Sequence, residues 1–410
     1  MELLSPAGNL EKLKTAVRFG ADAVYCGAGP FSLRAPEASF SLDDLAEGIR
    51  FAHSNGCRVY LALNIFAFDE DFDQMTAYFK RAVDLGIDAV IVSDPGVLMR
   101  IRELDRKVKL HLSTQANTTN SASVRFWQEQ GVDRIVPARE LSLAQLKAIR
   151  ESVPDIELEV FVHGAMCLAY SGRCLLSKFL NDRSANRGLC TQPCRWEYRI
   201  REVSRREELS IHEDGRGTYI LNSRDLCMIE HIPELARAGV DSLKIEGRMK
   251  TAYYVAAVTR VYRAALDKFN QDSGSYEFEP RWRAELEKVT HRPYTTGFYL
   301  PGKADETEFV ADASYIRPYD FVGTVDGHDT KSNKLTVRAR NRFSVGDVLE
   351  ILDPSRPDVI KLTVRQITNY QTGEKLKEAH NSYIVDVTSL EKCSKEISKD
   401  AIIRRKSVES

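Results

Sequence analysis

The chain has 410 residues, of which 43% are hydrophobic and 29% charged, as expected of a globular protein with a substantial core. This length exceeds one ordinary domain and fits a large catalytic domain followed by a smaller one. The formal net charge is −1, so any nucleic-acid-binding surface must be a local patch. We find no secretory signal and no apolar run of the roughly 20 residues that span a bilayer, so we expect a cytoplasmic protein without a membrane partner.

A short unit, Gly-x-Asp followed by a β-branched strand, occurs four times in the first 250 residues, at Gly20, Gly86, Gly131 and Gly239. Each time an amphipathic helix ends at the glycine, which commonly caps a helix in the left-handed conformation, and a strand follows. Four more strands are predicted without this lead, at Glu2–Leu4, Val59–Leu63, Lys109–Leu112 and Glu157–Val162.

Eight strands that alternate with helices indicate a parallel sheet with right-handed crossovers. We therefore predict an α/β fold, a TIM-like (β/α)8 barrel over residues 1–250. An open doubly wound sheet is the alternative, but no G-x-G-x-x-G opens a helix after the first strand, which disfavours its dinucleotide-binding form. Residues 219–221 are a ninth strand candidate, which we treat as an added segment.

Polar, chemically able side chains follow the predicted strands, namely Asn64, Asp94, Gln115, Glu140, His163 and Glu246. In a barrel of this type the carboxyl ends of the strands form the active face, whereas the opposite face is structural. Any one of these residues could simply cap the next helix. The set as a whole favours an active face.

The character of the chain changes after residue 250. A helical extension is predicted over residues 251–313, with helices at Ala252–Asn270 and Arg281–Val289. Residues 314–405 contain short strands separated by turn residues, which predicts a small C-terminal antiparallel β-barrel of the kind that serves as an accessory binding domain. We expect the tail Arg404-Arg405-Lys406 to be short and frayed.

Five of the eight cysteines lie within about sixty residues: Cys167, Cys174, Cys190, Cys194 and Cys227. Clustered cysteines in a reducing compartment indicate metal or redox chemistry. Structural zinc prefers two close pairs, and radical chemistry with S-adenosylmethionine prefers a close triplet, neither of which is present. An iron–sulfur cluster needs only four converging thiolates, and buried apolar cysteines would explain one or two of the five. The spacing favours a cluster and does not choose between Cys194 and Cys227.

Positive charge is concentrated around the cysteines, at Arg173, Arg183, Arg187, Arg195 and Arg199. Guanidinium groups beside Tyr170 and Trp196 suit an anionic ligand, or RNA phosphates with a base to stack. An even scatter of surface arginines is the alternative explanation. The patch suggests RNA binding without establishing it.

The motifs at residues 163–174 (HGAMCLAYSGRC), 186–196 (NRGLCTQPCRW), 222–226 (NSRDL) and 242–250 (SLKIEGRMK) resemble peptidase family U32. Residues 4–8 (LSPAG) and 291–298 (HRPYTTGF) fit the family too, so the resemblance covers nearly the whole chain. The length and the one C-terminal β-barrel are most similar to the branch that forms 5-hydroxyuridine at the tRNA wobble position.

The resemblance implies a 4Fe-4S cluster and hydroxylation of a ring carbon without molecular oxygen. It implies tRNA as the partner and prephenate as the small-molecule hydroxyl donor, and an electron donor or a paralogous subunit would be a further partner. The family's cluster ligands map by motif onto Cys167, Cys174, Cys190 and Cys227, with Cys194 as the alternate ligand.

We assign substrate positioning or catalysis to His163, Arg173, Glu246 and Arg248, although His163 could equally orient a neighbouring group. Arg173 or Arg248 would pair with carboxylates of the donor. The candidate RNA contacts are Tyr170, Arg183, Arg187, Arg195 and Trp196.

Three other functions stay open from the sequence. The chain could hydroxylate ribosomal RNA or another ring, or bind RNA or deliver a cluster without catalysis. A collagenase-like peptidase is disfavoured, because neither H-E-x-x-H nor G-x-S-x-G is present and Ser171 has no identifiable catalytic partner.

Overall fold

The structure, a computed structural model, describes residues 1–27, 29–32, 40–167, 170, 173–187, 189–193, 213–214, 217–218, 224–300 and 315–407. The ninth strand candidate at residues 219–221 lies outside the described residues. In the first 300 residues the described strands are β1 (Glu2–Ala7), β2 (Ala23–Gly27), β3 (Arg58–Leu63), β4 (Ala89–Val92), β5 (Lys109–Leu112), β6 (Arg134–Ile135), β7 (Glu157–Ala165), β8 (Glu213–Asp214), β9 (Gly217–Thr218), β10 (Asp225–Cys227), β11 (Ser242–Ile245) and β12 (Tyr294–Thr295).

Strands β1 to β7 and β11 form the predicted closed parallel barrel. Each pairs in parallel with the next, and β11 pairs with both β7 and β1, through Ser242 opposite Glu159 and Glu2. This closure confirms the barrel and excludes the open sheet. Two short strands extend the sheet beyond β7: β10 runs antiparallel to β7, and β12 runs parallel to β10.

The described helices of this part of the chain are α1 (Leu10–Arg18), α2 (Leu42–Ser54), α3 (Phe72–Asp84), α4 (Pro95–Leu104), α5 (Ser121–Glu129), α6 (Leu143–Ser152), α7 (Leu176–Asn181), α8 (Ile232–Arg237), α9 (Ala252–Gln271) and α10 (Pro280–Leu286). Most of them surround the barrel, whereas α7 lies in the segment that follows β7. Helix α9 packs against α1 and β1, where the last strand of the barrel meets the first. The helix that we assigned to an extension after the barrel therefore covers the barrel itself.

Among the described residues, we find no helix with the length and apolar character needed to span a membrane.

The four Gly-x-Asp units form equivalent clamps at the amino-terminal end of the barrel. Their glycines have the expected positive φ, at 97° for Gly20, 93° for Gly86, 83° for Gly131 and 78° for Gly239. Each aspartate carboxylate accepts a backbone N–H from the strand before its own. The donors are Leu3 to Asp22 (2.7 Å), Val59 to Asp88 (2.7 Å), Leu110 to Asp133 (2.8 Å) and Leu158 to Asp241 (2.8 Å).

Each clamp aspartate also pairs with a basic side chain from a helix. The pairs are Asp22 with Arg263, Asp88 with His53, Asp133 with Arg102, and Asp241 with Arg150. The clamps therefore occupy alternate strands, β2, β4, β6 and β11, and tie each to its neighbour and to the surrounding helix. This end of the barrel is structural, as expected of the face opposite an active site.

Buried charges fill the barrel interior near the same end. Arg134 pairs with Glu2 (2.5 Å) and Glu159 (3.0 Å), and Lys244 pairs with Glu159 (2.7 Å). Burial opposes ionisation of Glu159, but the ion pairs with Lys244 and Arg134 outweigh it and lower the pKa of the carboxyl group. These charges satisfy one another and leave the carboxyl ends of the strands as the open mouth.

The C-terminal domain is the predicted small antiparallel barrel. Its strands are β13 (Tyr319–Asp329), β14 (Lys334–Ala339), β15 (Phe343–Ser344), β16 (Val348–Leu352), β17 (Ile360–Asn369), β18 (Lys375–Leu376), β19 (Glu378–Ala379), β20 (Ile384–Ser389) and β21 (Ile402–Lys406). Six of them pair in the order β16-β21-β13-β14-β20-β17, and β17 returns to β16. The core of this domain consists of alternating apolar residues from these strands.

The expectation of a frayed tail at residues 404–406 was wrong. Strand β21 lies between β16 and β13, and Arg404 is fully buried. The Arg404 guanidinium donates to Glu350 (2.7 Å) in its own domain and to Glu285 of α10 (2.9 Å to Oε2) in the barrel domain. The tail is therefore part of the contact between the two domains.

Candidate functional site at the barrel mouth

Two buried arginines border the barrel mouth over an aromatic floor. Arg139 follows β6, and its guanidinium carbon lies 4.2 Å from the Phe161 ring centroid. Arg248 follows β11, with its guanidinium carbon 5.8 Å from the Tyr25 ring centroid. Arg139 donates through Nη1 to the Ala165 carbonyl (3.1 Å), while its buried Nε has no hydrogen-bond partner among the described residues. This arrangement can bind a carboxylate or a phosphate.

Of these four residues, only Arg248 was predicted from the sequence. Arg139 directly precedes Glu140, which we had selected at the end of β6, so a search for basic side chains at strand ends would have found it. Tyr25 and Phe161 lie within strands and point into the barrel, where Lys244 packs on both rings at 4.5 and 5.4 Å. The sequence gives no signal that separates these two rings from core aromatics.

The LSPAG motif at residues 4–8 is explained by the backbone of Arg248. A Cβ atom on Gly8 would lie 1.9 Å from the Arg248 carbonyl oxygen, so only glycine fits at this position. The Lys12 ammonium donates to the same carbonyl (3.3 Å). The turn after β1 therefore holds the loop that carries Arg248.

Glu246 lies at the end of β11, where β11 meets β7. Its backbone N–H donates to the His163 carbonyl (2.8 Å), and its carbonyl accepts from the Tyr254 hydroxyl (2.9 Å). The strands approach so closely that a Cβ on Gly164, whose φ is 107°, would lie 2.7 Å from the Glu246 carbonyl oxygen. The buried Glu246 side chain is thus held at the mouth by its backbone contacts.

His163 lies in a buried aromatic layer and not in the open mouth. Its ring centroid is 5.3 Å from that of Tyr294, 5.6 Å from Tyr262 and 6.0 Å from Tyr254. Neither ring nitrogen has a hydrogen-bond partner among the described residues. Burial lowers the pKa of His163 to about 3, so the imidazole is neutral at physiological pH. This position favours the orienting role over that of a catalytic base.

The other strand-end residues divide between capping and bracing. Asp94 accepts the Val97 N–H (3.0 Å) and caps α4, which is the structural role considered for any one of them. Asn64 donates to the Ser113 hydroxyl (3.3 Å) and so joins two neighbouring strand ends. The Gln115 carbonyl accepts from Arg173 Nε (3.0 Å), so the exposed Arg173 of the segment after β7 lies against the loop after β5.

Three of the predicted ligand cysteines lie on the segment after β7. Cys167 and Cys190 are exposed and Cys174 is partly buried. The sulfur atoms of Cys174 and Cys190 each accept a backbone N–H from two residues further on, Leu176 and Gln192, both at 3.4 Å. Such N–H···S bonds are among the contacts by which proteins tune iron–sulfur clusters.

Hydrogen bonds hold the two halves of this segment together. The Cys174 backbone N–H donates to the Asn186 side chain (3.3 Å), and Ser177 and Thr191 share a hydrogen bond between their hydroxyls (3.1 Å). Asn181 donates to the same Thr191 hydroxyl (2.7 Å). The stretches around Cys174 and Cys190 are therefore neighbours in space.

Cys227 is placed differently from the other three. It lies in β10, directly opposite His163 of β7, and is buried. Burial raises the pKa of its thiol to about 11, although the neighbouring Arg283 opposes this. A small cavity of about 180 Å³ reaches Cys227 and is lined also by Arg283 and Tyr294.

Thiolate donors suit iron or zinc, so the chemistry of the predicted ligands fits a metal centre. Among the described residues, however, no three His, Cys, Asp or Glu side chains form a group that could hold a metal ion. The alternate ligand Cys194 lies outside the described residues. The assignment of four ligands stays a prediction.

The residues predicted to contact RNA lie in different environments. Arg187 forms a bidentate ion pair with Asp71 (2.8 and 2.9 Å) and packs on Phe68, so its guanidinium holds the loop after β3 against the cysteine segment. Arg183 and Tyr170 are exposed and available to a ligand. Arg195 and Trp196 lie outside the described residues.

On helix α7 the Phe179 side chain is 85% exposed, which the sequence did not lead us to expect.

Fold and site together define a barrel protein with a cationic mouth, a cysteine-rich segment after β7 and an accessory β-barrel. Residues 8–308 match the family model of peptidase family U32, and residues 317–404 match that of the peptidase family U32 C-terminal domain. The chain belongs to peptidase family U32.

The chain is 40% identical over 353 residues to "tRNA hydroxylation protein P1" of Bacillus subtilis, covering 86% of this chain and 83% of the relative. It is 39% identical over 394 residues to "tRNA hydroxylation protein P" of Escherichia coli, covering 86% of each. Two further relatives carry other names. The "23S rRNA 5-hydroxycytidine C2501 synthase" of Escherichia coli is 34% identical over 94% of this chain and 56% of its own length, and a "Collagenase" of Porphyromonas gingivalis is 31% identical over 91% and 92%.

Proposed function

We propose that this protein is an RNA-modifying enzyme that hydroxylates C5 of uridine at the wobble position of tRNA. The proposal includes a 4Fe-4S cluster, independence of molecular oxygen, and prephenate as the hydroxyl donor. The observation that carries it is the mouth itself, where Arg139 and Arg248 lie over the rings of Tyr25 and Phe161 beside the cysteine segment. The relatives named for tRNA hydroxylation, at about 40% identity over most of the chain, support the choice of RNA.

The two arginines suit a donor that carries carboxylates. Arg139 and Arg248 are both buried, and an arginine binds a carboxylate in a bidentate manner more strongly when water is excluded. The exposed Arg173, which contacts the loop after β5, can bind the same donor or the RNA. The floor formed by Tyr25 and Phe161 offers flat apolar surface to a ring, which both a uracil base and a cyclic donor possess.

In the proposed holoenzyme the cluster is held by Cys167, Cys174, Cys190 and one further thiolate, Cys227 or Cys194. Replacing the C5 hydrogen of uridine by a hydroxyl group removes two electrons from the ring, so the donor or an external acceptor must gain two. If bound, an iron–sulfur cluster would supply one-electron transfer, and two such transfers would account for both electrons. The role of the chain is to hold the base and the donor together and to exclude water from them.

The decisive experiment is mass spectrometry of tRNA nucleosides from cells that lack the gene. We expect 5-hydroxyuridine and its derivatives to disappear and to return with the wild-type gene. Complementation with Arg248→Ala should fail, whereas Arg125→Ala, an exposed arginine on α5, should restore the modification. A complete set of modified uridines in the deletion strain, without a redundant paralogue, would overturn the proposal.

A second assay separates the finer elements of the proposal. Anaerobically purified protein is incubated with unmodified tRNA, with and without prephenate and under argon or air. Product formation under argon that depends on prephenate supports both elements. Conversion of ribosomal RNA instead of tRNA would transfer the activity to the other RNA, and cleavage of gelatin by the purified protein would favour the peptidase alternative.

A further inference from the structure

A second concave site lies on the side of the molecule, between the barrel and the C-terminal domain. It is a cleft of about 500 Å³, bounded by the end of α1, by α9 and α10, and by the loop at residues 354–359. Gly20, which lies between α1 and β2, lines it, so the cleft lies toward the clamped end of the barrel and away from the mouth. Neither the cysteines nor the arginines of the mouth line this cleft.

The cleft is rich in arginine. Five arginines line it, against three carboxylates, Asp267, Glu285 and Asp358. The arginines are Arg18, Arg260, Arg263, Arg281 and Arg356. Two domains contribute to this set, since Arg356 comes from the C-terminal domain and the other four from the barrel. A concentration of guanidinium groups in a concave site marks a site for a phosphate-bearing ligand, whose oxygens accept paired N–H donors.

Two of the three carboxylates in the cleft already form ion pairs. Asp267 pairs with Arg263 (2.8 Å), and Glu285 pairs with the buried Arg404 (2.9 Å to Nη2). Arg18 pairs with Asp400 (2.8 Å), which lies outside the cleft lining. These ion pairs hold the walls of the cleft together and engage the charges of Arg18 and Arg263.

Arg260 differs from the other four arginines in having no ion pair with a carboxylate among the described residues. Its Nη2 donates to the Pro357 carbonyl, and its buried Nη1 has no hydrogen-bond partner in the described part of the chain. Burial lowers the pKa of Arg260, and Glu285 only partly offsets this. An unsatisfied buried donor on a charged group is costly, and an anion in the cleft would supply the missing acceptor. Arg281, whose side chain is 70% exposed, pairs through Nε with Glu279 (2.5 Å) and can offer its remaining N–H groups to the same anion.

We propose that this interdomain cleft binds a phosphate group, held by Arg260 and Arg281. The phosphate comes either from the RNA backbone or from a small phosphorylated compound. The first source rests on the proposed function, because a tRNA bound at the mouth could reach around the barrel to this side. The second source does not, and would make the cleft a site at which a metabolite stabilises the contact between the domains.

The first test uses inorganic pyrophosphate as the probe and isothermal titration calorimetry of the full-length protein at low salt. We expect Arg260→Gln to weaken pyrophosphate binding by about tenfold or more, since a charged hydrogen bond contributes about 1.5–3 kcal/mol. Arg281→Gln should weaken it by a smaller factor, and because Arg281 is exposed this variant keeps the test valid if Arg260→Gln fails to fold. Arg125→Gln, on α5 at another part of the barrel surface, is the matched control and should bind as the wild type does.

The second test measures tRNA binding by the same variants over a series of salt concentrations. If the phosphate belongs to RNA, Arg260→Gln weakens binding and reduces the slope of log K against log salt by about 1. If pyrophosphate binding falls but tRNA binding does not, the source is a small phosphorylated compound. Equal pyrophosphate affinity in the wild type and both cleft variants, or no binding at all, overturns the proposal. Because the first test involves no RNA, its result is independent of whether the protein hydroxylates tRNA.

Discussion

Asp225 and Arg292 form a buried ion pair that joins β10 to β12, with Arg292 Nη2 2.8 Å and Nε 3.0 Å from the same carboxylate oxygen. The Arg292 backbone N–H donates to the other oxygen (3.2 Å). The two residues belong to the NSRDL and HRPYTTGF motifs, which are far apart in the chain. Their contact explains why the motifs occur together, because the buried ion pair joins one motif to the other.

We expect Asp225→Ala to lower the free energy of unfolding by about 3–5 kcal/mol, because it leaves the Arg292 charge buried without its counterion. A urea titration followed by tryptophan fluorescence measures the change. Glu151→Ala, which removes an exposed ion pair with Lys147 within α6, is the control and should leave the transition where it is. An Asp225→Ala variant as stable as this control would show that the buried pair contributes little.

Iron and acid-labile sulfide content tests the proposed cluster ligands. Cys167→Ser, Cys174→Ser and Cys190→Ser should each lose most of the iron and the broad visible absorption, because a cluster needs four thiolates. Cys393→Ser, in the C-terminal domain, is the control and should keep both.

The same measurement decides the fourth ligand. Loss of iron in Cys227→Ser but not in Cys194→Ser assigns the ligand to Cys227, and the reverse result assigns it to Cys194. Full iron content in all five variants would exclude a cysteine-bound cluster.

The buried His163 should make the protein acid-sensitive. Its folded pKa of about 3 lies below the ordinary value of 6.5, so folding favours the neutral ring. That contribution to stability is complete above about pH 6.5 and is lost as the pH falls toward 3. Between pH 6.5 and 5, one proton accounts for about 2 kcal/mol.

His163→Phe keeps an aromatic ring in this layer and removes the titration. The difference in stability between pH 7 and pH 5 should therefore be smaller in this variant than in the wild type by about 2 kcal/mol. Urea titrations at the two pH values measure it. Equal pH dependence in both proteins, or an NMR titration of the His163 ring near pH 6.5, would contradict the buried position and restore the catalytic-base interpretation.

The Gly-x-Asp clamps predict additive losses of stability. Asp88→Ala and Asp241→Ala each remove a charged acceptor from a backbone N–H, at 2.7 and 2.8 Å, and each should cost about 1–2 kcal/mol. Since the two clamps lie on β4 and β11, far apart around the barrel, the double variant should lose the sum within about 0.5 kcal/mol. A loss in the double variant equal to that in either single one would mean that the clamps do not act independently.

The barrel could be predicted because its signals are local. A glycine with positive φ and a β-branched strand follow each other within a few residues, so the four clamp units and the alternation with helices are visible in the sequence. The carboxylate bonds of Asp22, Asp88, Asp133 and Asp241 were not foreseen. Their backbone donors lie about 20 to 85 residues away in the chain, and only the barrel brings them close.

The wrong prediction of a frayed tail concerns a charged residue whose ion-pair partners are distant in the sequence. Arg404 reads as part of a basic tail, but Glu285 and Glu350 bury it between the domains. Arg187, predicted to contact RNA, likewise pairs with the distant Asp71, and its RNA contact stays a prediction. A charged side chain shows in the sequence only its sign, while its position depends on which opposite charge the fold brings to it.

Only part of the candidate site could be predicted from the sequence, for a related reason. Cys167, Cys174 and Cys190 stand out because polar residues and glycines surround them, and Arg248 stands out at the end of a strand. Arg139 was not predicted, because we selected its acidic neighbour Glu140 at this strand end. The aromatic floor was missed because a ring that lines a cavity and a ring that fills a core occupy the same kind of strand position.

The alternation of the clamps groups the eight barrel strands into four couples, β1 with β2, β3 with β4, β5 with β6, and β7 with β11. Within each couple a carboxylate reinforces the backbone ladder, and between couples it does not. The clamps tie the strands of each couple at the amino-terminal end of the barrel, and buried ion pairs such as that of Arg134 with Glu159 join neighbouring couples. A barrel built from four such modules can keep its shape while the loops at the mouth vary.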